Sequence, residues 1–169
     1  MKHMASVTGV TVLLFALGCS NAQSPGVLYH NRLDSLDGIL SNPGVTLDTS
    51  TPRGIALRIE SQAPRSVRLA EVQTLDAQTV VLTLRGHLRA ERLTGRAYLE
   101  MRCNMPQKGV LVSRATSQSE VAGTTDWVTQ ATRLSLGEQP GPQIVSLNVA
   151  IEGAGIVWVD NILLAQAGH

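Results

Sequence analysis

Apolar and polar residues alternate in short runs along this chain, and turn chemistry ends each run. That pattern constrains the fold most, because a period of two sends successive side chains to opposite faces of a strand. "GIALRIE" sets Ile55, Leu57 and Ile59 against Arg58 and Glu60. "TVVLTLRGHL" turns Val80, Leu82, Leu84 and Leu88 inward, with Thr83, Arg85 and His87 outward. "RAYLEMRC" turns Leu99 and Met101 inward, with Tyr98, Glu100 and Arg102 outward. "WVTQATRLSL", "IVSLNVAIEG" and "GIVWVDNILL" continue the series. Between the runs lie "SNPG", "STPRG", "QAPRS", "LTG", "MPQKG", "AGTTD" and "GEQPGPQ", all of turn or loop composition. The best helix-period candidate, "LDSLDGIL" from Leu33 to Leu40, is short. Eight or nine strands without intervening helices predict an all-β antiparallel sandwich or barrel.

The N-terminus reads as an address. Lys2 and His3 precede "VTGVTVLLFAL", about 11 apolar or small residues, a signal-type core well short of the ~20 a spanning helix needs. "FALGCS" follows and resembles a bacterial lipobox, with Cys19 as the lipid acceptor; it departs from that pattern in having Ala16 where leucine is favoured. "SNA", Ser20 to Ala22, offers a competing site for ordinary signal cleavage. The lipobox reading divides the chain into a signal peptide (1–18), lipidated Cys19 with a polar tether (19–26), a folded domain (27–165) and a short tail (166–169). It implies a membrane partner through the lipid anchor and a place at the cell envelope, the outer membrane in a Gram-negative cell because Ser20 rather than Asp follows the cysteine. The alternative is a secreted or periplasmic chain. Cys103 then stands alone in the folded part, in phase with Ala97, Leu99 and Met101, which predicts a buried inert thiol.

Two stretches carry a resemblance. "GTTDWVTQATRLSLG" is followed some twenty residues later by "IEGAGIVWVDNILL", ending in Trp158, Asp160, Asn161, Ile162 and Leu164. Together they look like the C-terminal half of galactose-binding-domain-like jelly rolls, the group that includes many carbohydrate-binding modules. "LRGHLRAERLTGRAYLEMRC" resembles the group's middle strand pair. The resemblance implies an antiparallel jelly-roll β-sandwich. It further implies that Asp160 ties the last strand to the N-terminal segment, through hydrogen bonds or as a ligand of a structural calcium. A carboxylate in such a strand needs a partner in either case.

If Thr79–Leu88 and Arg96–Cys103 are antiparallel neighbours joined through "RAERLTG", their outward residues share one surface. Arg85, His87, Tyr98, Glu100 and Arg102 are then the candidate ligand-binding set, suited to a polyol or sugar acid; a solvated face of Arg–Glu pairs is the plainer reading. Outside the leader the aromatic residues are Tyr29, Tyr98, Trp127 and Trp158, too few for a flat polysaccharide platform. Trp127 and Trp158 read as packing residues. Beyond Lys2 the charges balance, which removes the electrostatic argument for nucleic acid. No nucleophile, zinc or phosphate-loop motif is present. The expectation is therefore a non-catalytic module binding a carbohydrate or similar polar ligand, with a structural or protein-docking lipoprotein as the alternative.

Overall fold

A computed structural model of the chain describes residues 26–39, 43–74, 80–105, 109–116, 119–137 and 143–168. The leader, Cys19 and the tether as far as residue 25 lie outside these residues.

Among the described residues nine strands run in chain order: β1 (Gly26–Asn31), β2 (Val45–Thr51), β3 (Gly54–Ser61), β4 (Arg65–Gln73), β5 (Val80–Met105), β6 (Gly109–Arg114), β7 (Val121–Gly137), β8 (Ile144–Ile151) and β9 (Gly155–Gly168). All pairings are antiparallel, and one curled sheet has the order β2-β3-β9-β5-β8-β4, with β1 on β9 and both β6 and β7 on β5. The expected jelly-roll architecture is present.

β5 makes the sandwich, because its two halves belong to different layers. From Val80 to Glu91 it lies between β9 and β7; from Ala97 to Cys103 it pairs with β8, and from Glu100 to Met105 with β6. The hairpin expected between Thr79–Leu88 and Arg96–Cys103 is therefore corrected to a single bent strand. Register shifts against β7 between Leu88 and Arg96, with Arg92 at φ 51°, bend the strand where a turn was expected. Gly95 is not a turn residue. A Cβ there would fall 2.0 Å from the Glu152 carbonyl oxygen, so the glycine allows two backbones to touch. Thr94 N and Glu152 N donate to Ala154 O and Arg96 O, both at 2.8 Å, and hold the bend against the β8–β9 connection.

The alternation places the core as predicted. Leu82, Leu84 and Leu88 from one half of β5 face Leu99, Met101 and Cys103 from the other, packed with Leu57 and Ile59 of β3, Val157 and Val159 of β9, and Leu147 and Val149 of β8; all are fully buried. Burial pushes the Cys103 thiol pKa up, as expected of an inert cysteine. Ile55, expected inward, is 40% exposed at the start of β3 beside Gly54.

Asp160 and Asn161 mark a change of partner on β9. Residues before them pair with β3, and residues after them with β1. Asn161 takes φ 56°, a left-handed conformation that Asn tolerates, and the register against β5 shifts at this point. β9 continues to Gly168, so the tail expected from 166 is largely strand, with Gln166 buried.

Candidate functional site

A polar cleft of about 440 Å³ opens where β9 changes partner. His30, Arg32 and Asp34 enter from the end of β1, Arg53 from the β2–β3 turn, and Asp160 and Asn161 from β9. His30 Nε2 and Asn161 Oδ1 share a hydrogen bond of 2.7 Å, which fixes one wall. Arg53 Nε donates to Asp160 Oδ2 at 2.7 Å, and the Arg53 guanidinium also lies 5.7 Å from the Trp127 ring centroid. Asp160 is thus a tether, as the sequence predicts, but to the β2–β3 turn; the contact with the N-terminal strand comes from Asn161. A buried carboxylate needs a cation, and that requirement was the available signal for Arg53.

The outer face of the layer formed by β2, β3, β9, the first half of β5 and β7 adjoins this cleft. His87 pairs across the strands with Asp160 on one side and Thr129 on the other, its Nδ1 hydrogen-bonded to Thr129 Oγ1 at 3.1 Å. Burial of the ring, then the charge of Arg53, lowers the His87 pKa against the opposing pull of Asp160. Arg85 is exposed on the same face two residues away.

Tyr98, Glu100 and Arg102 lie on the other layer, outside the core but away from Arg85 and His87. The single surface expected for the five residues does not form, because β5 bends between the two groups instead of folding back. Tyr98 is 2% exposed and its hydroxyl donates to Glu152 Oε1 at 2.7 Å. Burial and that carboxylate together push its pKa up to about 12. Glu100 is fully buried, and its two oxygens accept from Arg102 Nε and Arg114 Nε. Sequence reasoning missed Arg114, which reaches this group only through the β5–β6 pairing.

The residues around Asp160 do not fit a structural calcium. Arg53 already places a cation on its carboxylate, and calcium takes six to eight oxygens. Among the described residues no group of three or more His, Cys, Asp or Glu side chains could hold a metal.

No family model matches the sequence, and no curated protein matches it. Solved structures do. The CBM22-1 xylan-binding domain from Paenibacillus barcinonensis Xyn10C is similar at a TM-score of 0.55 and 12% identity, over 88% of this chain and 99% of that one. The tandem CBM22-1–CBM22-2 domain of the same protein gives 0.57 at 12%, over 89% of this chain and 48% of that one. The CBM22-1–GH10 modules of Clostridium thermocellum xylanase 10B, complexed with xylohexaose, give 0.59 at 9%, over 84% of this chain and 29% of that longer one. The chain has the fold of jelly-roll carbohydrate-binding modules.

Proposed function

We propose that this chain is a non-catalytic carbohydrate-binding domain, held at the cell envelope by a lipid on Cys19. The observation that carries the binding reading is the polar cleft at the β9 partner switch. It alternates hydrogen-bond donors (Arg32, Arg53) with acceptors (Asp34, Asp160), the chemistry that a ring of hydroxyl groups requires. The fold shared with carbohydrate-binding modules supports the same reading. Trp158, 5% exposed beneath Arg58 and Arg89, offers no open stacking face, so hydrogen bonds carry this reading. Lys2, the apolar run and "FALGCS" support the anchor.

A thermal-shift screen against neutral and acidic oligosaccharides, with calcium and EDTA arms, tests this function. A ligand at about 100 times its Kd stabilises a single-site protein by about 2.7 kcal/mol. The expected outcome is a rise in Tm with one sugar class, lost in Arg32→Ala and Asp34→Ala, whose side chains have no partner among the described residues. A sugar-induced rise that both variants retain would place the ligand elsewhere. No rise with any sugar would favour protein docking, and a calcium-induced rise reversed by EDTA would return Asp160 to a metal role.

A further inference from the structure

The outer face of the layer formed by β4, β8, the second half of β5 and β6 holds a charged group that the cleft does not use. Glu100 points away from the core, yet its side chain has no exposure, while those of Arg102 and Arg114 above it are 46% and 54% exposed. Each arginine bonds a different oxygen of the one carboxylate, and each does so through Nε: Arg102 to Oε1, Arg114 to Oε2 at 2.9 Å. Neither uses its two Nη nitrogens on any described residue. Arg114 is fixed a second time by Tyr98, whose ring centroid lies 5.5 Å from the guanidinium carbon. Beside them Arg96 bonds Glu120 and Glu152, so charge balances over the whole group and what this face offers is the two open forks.

A guanidinium is a planar fork that matches a carboxylate with two parallel hydrogen bonds. Two forks with their Nε edges pinned from below present the remaining donors to solvent with little rotamer freedom left to lose on binding. Ser146, half-buried opposite Arg102 on β8, can bond a hydroxyl group, and it is held by Asn148, which is buried opposite Glu100 and donates to it. Exposed Val112 lies opposite Arg102 on β6 and can pack against the apolar face of a sugar ring. An anionic group set among hydroxyl-binding and apolar neighbours describes an acidic sugar better than a bare ion or a lipid headgroup.

We propose that this face binds a carboxylate-bearing polysaccharide, with a uronate carboxylate seated across Arg102 and Arg114. It is a second surface, on the opposite layer from the cleft, and does not depend on the cleft binding anything.

The test measures binding of the intact chain to polygalacturonate and to neutral xylan, without calcium, over a range of salt. Polygalacturonate is expected to bind more tightly than xylan and to weaken as salt rises. Glu100→Gln decides the mechanism. It raises the net positive charge of the face, so general electrostatic attraction would strengthen binding. Loss of the pinning carboxylate is instead expected to weaken it about fivefold or more. Arg114→Lys keeps the charge, removes the fork and is expected to cost about tenfold, the scale of one charge-assisted hydrogen bond. The same two variants made in an Arg32→Ala background are expected to lose binding by the same factors, which separates failure here from failure of the cleft reading. Tighter binding by Glu100→Gln, full binding by Arg114→Lys, or equal affinity for xylan, polyaspartate or anionic vesicles would each overturn the proposal.

Discussion

Trp158 is held from three sides by charge. Its Nε1 donates to Asp48 Oδ2 at 2.8 Å, and the guanidinium carbons of Arg89 and Arg58 lie 4.6 and 6.0 Å from its ring centroid. Asp48 is fixed in turn by the hydroxyl and amide of Ser50, at 2.6 and 2.8 Å. Those bonds, the hydroxyl first, hold its carboxyl at about 2, below the ordinary 3.8. The folded value lies below the unfolded one, so this stabilisation is complete above the unfolded value and is lost as pH falls through the folded one. The Tm difference between the parent and Asp48→Asn is expected to be constant near neutral pH and to close between about pH 4 and about pH 2. A difference indifferent to acid would show that the carboxylate charge contributes nothing. That Trp158 packs was legible from its place in an apolar run. That arginines cover it was not, because Arg58 and Arg89 reach it from strands that the sequence does not place beside β9.

The bend in β5 shows where reading by element stops. Each half of the strand gives its own faces by alternation, and both readings hold: Leu84 and Leu99 are inward, Arg85 and Arg102 outward. Whether the halves fold back on one another or run on is decided by residues such as Thr94 and Gly95, which serve a turn and a bulge equally well. Two glycines of β5 separate the effects. At Gly86 a Cβ would meet side-chain methyls, Ile162 Cδ1 at 2.4 Å and Leu99 Cδ1 at 3.2 Å, which can rotate. At Gly95 it would meet the Glu152 backbone, which is tied by its own hydrogen bond and cannot. Gly95→Ala is therefore expected to cost more than the roughly 1–3 kcal/mol typical of an overpacked site, and Gly86→Ala to fall within that range. Urea unfolding of the two variants checks the order, and a reversed order would mean that the bend yields more easily than the core.

At the scale of the molecule, one contiguous core joins both layers. The fold class was legible because alternation and turn chemistry agree along the whole chain and the final-strand pattern names the architecture. The cleft was not. His30 and Asn161 are 131 residues apart in the chain, and Arg53 and Asp160 are 107 apart, so only the closed sheet brings them together. The balance of charge along the chain likewise hides a face where two arginines share one buried carboxylate. β9 lies inside the first layer, with β5 along one edge and β3 then β1 along the other. A chain released before residue 155 would leave β1 without a partner and open one edge each of β3 and β5, and is expected to be digested by protease under conditions in which the longer chain survives. Synthesis runs from the N-terminus, so the growing polypeptide makes most of its strands before the one that joins them. Until that segment emerges the first layer cannot close, because nothing yet joins β1 and β3 to β5.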